Sequence, residues 1–275
     1  MKLVRYLFIA LLLIVGSFCA VYWQNDIPLA DLKATYAPAP SKFVQVNDVL
    51  VHYRDEGNRA DSTPIVLIHG TAASLHTWGA WAKELKLSHR VIRMDLPAYG
   101  LTGPNTSGDY SPEYYAQFMN HFLEKLGVKK CIIVGNSLGG WIALELAGHF
   151  PENVQTVCAL APAGLWLHPF FFRVPGTDAA KRIANRTSKF AHVALRLTPA
   201  QRLGFSRISP RWQEIGYQTM LDATIAMATS DGYYPAWDAF LDKRFDTPIR
   251  DEVPVTVIFG DKDRALPAKT CQERS

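Results

Sequence analysis

The sequence predicts an α/β domain: a mostly parallel sheet with helices on both faces and a helical cap inserted near the sheet's carboxyl edge. Three observations carry that expectation. Apolar runs at residues 64–69 and 131–134 read as buried strands, the first on both faces, and residues 253–259 as a further strand. Segments of helical spacing alternate with them at residues 77–87, 111–126 and 141–149. The alternation lapses only over residues 163–250, which carry apolar helical patterns around 191–197 and 217–228 and lie between two core strands. In open α/β sheets the carboxyl edge of the strands is where ligands bind.

The first element is a nearly unbroken apolar stretch from Tyr6 to Trp23 behind Lys2 and Arg5. At about 1.5 Å per residue its helical length approaches the thickness of a bilayer's hydrocarbon core. The basic flank predicts a cytoplasmic start, and Tyr22 and Trp23 form an interfacial anchor, which places the remaining domain on the extracytoplasmic (periplasmic) side. The sequence around Cys19 is a poor cleavage site, so residues 1–24 read as a retained anchor, with secretion after signal cleavage as the alternative. Residues 25–42, with Ala37-Pro38-Ala39-Pro40, read as an extended stalk, and residues 43–275 as the domain.

Within the domain, two short strands precede the first buried run, joined by a turn at Asn47-Asp48. A further strand falls at residues 90–94. Ser111-Pro112-Glu113 is a helix start: a capping hydroxyl, proline at the first position, and acid in the first turn. Gly127 ends that helix. A strand at 154–160 follows the helix that Pro151 terminates.

Composition narrows the function. The chain has 275 residues, 48% hydrophobic and 20% charged, enough for one large core and without a tract biased toward disorder. A net charge of +4 with no basic arm interleaved with aromatics argues against nucleic acid as a partner. The 4 cysteines form no Cys-x-x-Cys pair and no metal-spaced cluster, so neither metal nor cofactor is expected; Cys131 and Cys158 read as small core hydrophobes.

The chemistry-bearing motif is Gly135-Asn136-Ser137-Leu138-Gly139, a match to Gly-x-Ser-x-Gly between a buried strand and a helix. In that setting the serine occupies a strained turn that lifts its hydroxyl above the sheet, and the glycines let strand and helix approach. His69-Gly70 after the first core strand, this elbow, and Gly260-Asp261-Lys262-Asp263 occur in the order seen in α/β-hydrolases. Ile68-His-Gly-Thr-Ala-Ala-Ser-Leu-His-Thr-Trp78 and Arg93-Met-Asp-Leu-Pro-Ala-Tyr-Gly-Leu-Thr-Gly103 most resemble bacterial serine lipases and esterases of that superfamily.

The resemblance implies Ser137 as nucleophile and Asp263 as the acid of the triad, with backbone N–H groups of Leu138 and Thr71 as the oxyanion hole. It makes His69 and Asp95 structural. The 8 histidines all precede Asp263, so the family's base, its final strand and its last helix are expected to be missing. Truncation, a frameshift and a catalytically dead hydrolase each account for that; the intact remainder of the site points to truncation. The expected reaction is hydrolysis of a small apolar or amphipathic ester close to a membrane, through an acyl-enzyme on Ser137. Residues 168–173 (His-Pro-Phe-Phe-Phe-Arg) are a candidate acyl pocket. A carbon–carbon bond hydrolase and a membrane-tethered binding protein on a dead hydrolase fold are the alternatives. An aspartate nucleophile, as in haloalkane dehalogenases and epoxide hydrolases, is excluded by Ser137.

Overall fold

The structure is a computed structural model and describes residues 2–165, 177–206, 208–241 and 243–266. The candidate pocket at 168–173 therefore lies outside the described residues. Strands β1 (Lys42–Val46), β2 (Val49–Gly57), β3 (Ile65–Ile68), β4 (Arg90–Met94), β5 (Cys131–Asn136), β6 (Val154–Leu160) and β7 (Val255–Ile258) form one sheet in the order β1-β2-β4-β3-β5-β6-β7. β1, β2 and β4 pair antiparallel, and every pairing from β4 through β7 is parallel.

Two-residue periodicity explains why the central strands are apolar throughout. All of β3 is buried, yet Val66 and Ile68 join one core while Ile65 and Leu67 join another. The first face is covered by α4 (Pro112–Lys125) and α5 (Leu138–His149), through Phe118, Phe122, Ile142 and Leu146. The second is covered by α3 (Gly79–Leu85) and the short 3-10 turn before it, through Ala82 and Trp78.

α4 begins as its sequence predicts. The Ser111 side chain accepts from the Tyr114 N–H at 3.1 Å, Pro112 opens the helix, and Gly127 past its end has φ +67°. Its buried positions Tyr115, Phe118, Met119, Phe122 and Leu123 recur at helical spacing. α5 is apolar on nearly every side and buried on nearly every side, the helix of a covered layer.

Between β6 and β7 the described residues form α6 (Thr177–Ser188), α7 (Ala191–Ala194), α8 (Thr198–Phe205), α9 (Tyr217–Thr229) and α10 (Tyr233–Phe240). These helices have a small core of their own around Leu195, Phe205, Trp212 and Met220. α10 turns back onto the main body, where Phe240 meets Trp141 edge-on at 4.8 Å.

Two elements lie ahead of the sheet. α1 (Lys2–Tyr22) is the described helix long and apolar enough to cross a membrane, with Val4–Tyr22 as the span and none of that window buried. Its end touches α6 and α7 at their junction: Phe18 stacks on Phe190 at 5.9 Å and Trp23 meets the same ring edge-on at 5.8 Å. The stalk is not extended throughout, because α2 (Leu29–Tyr36) occupies its middle. Pro28 stands before that helix and Pro38 and Pro40 after it, so the prolines bound a helix instead of preventing one. Its last residue is held by tertiary contact, the Tyr36 hydroxyl donating to Asp222 of α9 at 3.0 Å.

Candidate active site

Ser137 stands between β5 and α5 with φ +54° and ψ −116°, a conformation costly for any residue with a side chain. Neighbouring backbone holds it there. Its N–H donates to Leu160 O at 2.9 Å, and its carbonyl accepts from Trp141 N at 3.1 Å and Ala163 N at 3.0 Å. Strand, elbow and helix can meet only because the flanking residues lack side chains. A Cβ on Gly135 would stand 2.1 Å from Gly139 O, and one on Gly139 would stand 2.3 Å from Ile68 O.

That second approach brings the end of β3 beside the serine. A Cβ on Gly70 would lie 3.1 Å from Ser137 Cβ, so the loop carrying Thr71 begins in contact with the elbow. Leu138 is buried as the first residue of α5, where the backbone N–H groups have no partner within the helix. Ser137, Leu138 and the Gly70–Thr71 turn are thus gathered at one point on the sheet's carboxyl edge. Among the described residues no group of three metal-ligating side chains is present.

Asp263 sits at the same edge. Asn136, Leu160 and Ile258 are in register across β5, β6 and β7, and Asp263 follows the last of these by a short loop. One of its carboxylate oxygens accepts from Ala265 N and Leu266 N, both at 2.8 Å, which fixes the turn. No contact joins it to Ser137 among the described residues.

His69 is fully buried with both ring nitrogens engaged. Nε2 accepts from Leu96 N–H at 3.0 Å, so Nδ1 carries the proton and donates to Gly70 O at 2.7 Å. Burial pushes its imidazole below the ordinary value, against the pull of the Asp95 charge. It is a neutral brace for the loop after β3. Burial disfavours ionised Asp95, yet the hydrogen bonds it accepts, from His52 and from the Leu75 N–H, keep its carboxyl below the usual range. Its oxygens accept from His52 Nδ1 at 2.7 Å, Leu75 N at 2.8 Å and Leu101 N at 2.9 Å, which fixes the turn after β4.

That turn carries residues the motif reading did not single out. Ala98 has φ +82°, and Tyr99 is buried with its ring edge-on to His69 at 5.6 Å. Burial raises the Tyr99 hydroxyl well above its ordinary pKa, an effect the neighbouring Thr71 side chain partly offsets; the hydroxyl has no hydrogen-bond partner among the described residues. From the other side, Ser230 Oγ donates to Ala98 O at 2.7 Å and Tyr233 meets Tyr99 edge-on at 6.5 Å. Arg93–Gly103 was legible as a motif, but nothing local says that its aromatic faces the loop after β3.

This architecture and elbow define a class, and comparison with known proteins places the chain in it. The chain belongs to the alpha/beta hydrolase fold family, whose profile matches residues 63–273. It is 28% identical over 150 residues to the dihydrolipoyllysine-residue acetyltransferase component of the acetoin cleaving system of Cupriavidus necator, over 54% of this chain and 38% of that protein. It is 31% identical over 105 residues to a 2-hydroxymuconate semialdehyde hydrolase of a Pseudomonas species, over 37% of each chain. The chain thus spans well under half the length of these curated relatives. Among solved structures, a membrane phospholipase A described as a bacterial virulence factor superposes with a TM-score of 0.65 at 21% identity, covering 100% of this chain and 87% of its own. That likeness shows the shared fold.

Proposed function

We propose that this protein is a serine hydrolase that cleaves carboxylic esters through an acyl-enzyme on Ser137, tethered to a membrane by α1 with its domain on the extracytoplasmic side. The observation that carries this reading is the strained backbone of Ser137 at the head of α5, with Gly70 of the neighbouring loop against it.

In the proposed reaction Ser137 Oγ attacks the acyl carbonyl and gives up its proton to a base, since a neutral hydroxyl is a weak nucleophile. The negative charge that forms on the carbonyl oxygen is accepted by the N–H groups of Leu138 and Thr71, each worth on the order of 3 kcal/mol in the transition state. Collapse expels the alcohol, and water then releases the acid. Asp263 orients the base and stabilises its protonated form. His69 cannot serve as that base, because both of its nitrogens are already committed.

A fluorophosphonate probe and a panel of p-nitrophenyl esters, applied to the natural gene product, test the reading together. Ser137 is the expected site of label, and Ser137→Ala is expected to abolish labelling and ester turnover while the fold is retained. A wild-type protein that ignores the probe would leave the binding-protein reading in its place. The similarity to a 2-hydroxymuconate semialdehyde hydrolase supports a second reading, cleavage of a carbon–carbon bond by the same serine. Faster turnover of a vinylogous diketone than of any ester would select it.

A further inference from the structure

The helices between β6 and β7 line an open cavity of about 440 Å³, within the ~300–1,000 Å³ typical of small-molecule sites. Its wall is mostly apolar: Ala184 of α6, Leu195 beyond α7, Met227 and Ala228 of α9, and Tyr233 of α10. Two features connect it to the rest of the molecule. On one side Tyr233 meets Tyr99, which lies against His69 and beside Thr71. The buried Tyr99 ring thus links Tyr233 of the cavity wall to His69 and the loop carrying Thr71, and its hydroxyl is a donor available to a bound ester oxygen.

On the other side Thr187, Ser188 and Ala191 of the wall flank Phe190, the ring that receives the end of α1. That seat has polar support as well. Gln24 N donates to Lys189 O at 3.2 Å, and the Lys189 ammonium pairs with Asp26. A signal segment destined for removal has no need of an aromatic and ionic seat on the folded domain. An anchor that stays in place would hold this wall of the cavity at the membrane surface.

We propose that this cavity is an acyl-chain site for a membrane lipid, loaded from the bilayer where α1 seats on Phe190. The chain enters along the apolar end of α1, lies against α6 and α9, and presents its ester past Tyr233 and Tyr99 to Ser137. The last step rests on the esterase reading above; the binding step does not.

The test uses full-length protein in vesicles of phosphatidylcholine that bears a diazirine on its acyl chain, with adducts mapped after irradiation. Adducts are expected on α6 and α9 at the cavity wall, in wild type and in Ser137→Ala alike. Met227→Trp and Ala184→Trp change two half-buried wall positions, so either one can report if the other fails to fold. Each is expected to cut the cavity adducts by at least ~10-fold, because an indole occupies the space the chain needs. Phe190→Ala is expected to lower them from vesicles and leave them unchanged when the same lipid is offered in detergent micelles. Adducts confined to α1, or a cavity yield that neither tryptophan alters, would overturn the proposal. Cavity adducts in a protein that hydrolyses no ester would uphold the site while removing the esterase reading.

Discussion

At the scale of single residues, strain and burial make opposite demands on Ser137 and His69. Ser137 is held at φ +54°, ψ −116°, where glycine is comfortable and serine is not. Ser137→Gly is therefore expected to stabilise the fold by about 1–2 kcal/mol while eliminating fluorophosphonate labelling, readable by denaturant titration and probe gel. No gain in stability would mean that the elbow is not strained. His69 is neutral in the fold, with burial lowering its pKa. Below the unfolded value of about 6.5 the unfolded chain binds a proton that the native chain refuses. Its contribution is thus complete above about pH 6.5 and lost as pH falls toward the lower, folded value. His69→Gln is expected to cost about 1–3 kcal/mol at pH 7.5 and to flatten the stability slope below pH 6.5, in part only, because His76 is shifted the same way. An unchanged slope would show that His69 titrates normally in the native state.

At the scale of elements, capping and chain direction place the site. Ser111 satisfies one of the otherwise unpaired N–H groups at the start of α4, which covers the core beside α5. Ser111→Ala is expected to cost about 1 kcal/mol in urea unfolding and to leave probe labelling of Ser137 intact, because the cap touches no residue of the site. A loss of labelling would show that α4 positions the elbow. The order of β3, β5, β6 and β7 is what aligns the loops after them. Parallel pairing puts every carboxyl end on one edge, so Gly70, Ser137 and Asp263 lie along the same edge although they are far apart in the chain. The strand runs, the α4 cap and the Gly127 stop were legible because burial on both faces and helix ends leave local marks. α2 was not, since prolines at its borders read as an extended stalk and its anchoring contact comes from Asp222.

At the scale of the whole molecule, α1 and the helices between β6 and β7 meet at Phe190. The apolar span is solvent-exposed along nearly its whole length, while its aromatic end is seated on Phe190. Protein produced with α1 is expected to remain in the membrane pellet after carbonate extraction. A version beginning at Asn25 is expected to move to the supernatant. Recovery of the first in the supernatant would remove the tether from the reading. The cap rests on the main body through Ser230, Tyr233 and Phe240, contacts that join the turn after β4, α5 and the cavity into one unit.

The sequence by itself determined the α/β class, the elbow at Ser137, the apolar span and the start of α4. Each depends on residues adjacent or one helical turn apart, where backbone sterics and burial periodicity act. The tertiary structure alone decided the rest. It made His69 a brace by supplying Leu96 N–H from 27 positions away, and it closed Asp95 on His52 from 43 positions away. It also brought Ser230 onto Ala98 across 132 positions and set Tyr99 between His69 and Tyr233. Such partners are chosen when strands align and the cap docks, and hydrogen bonds between distant segments leave no periodic trace in the chain.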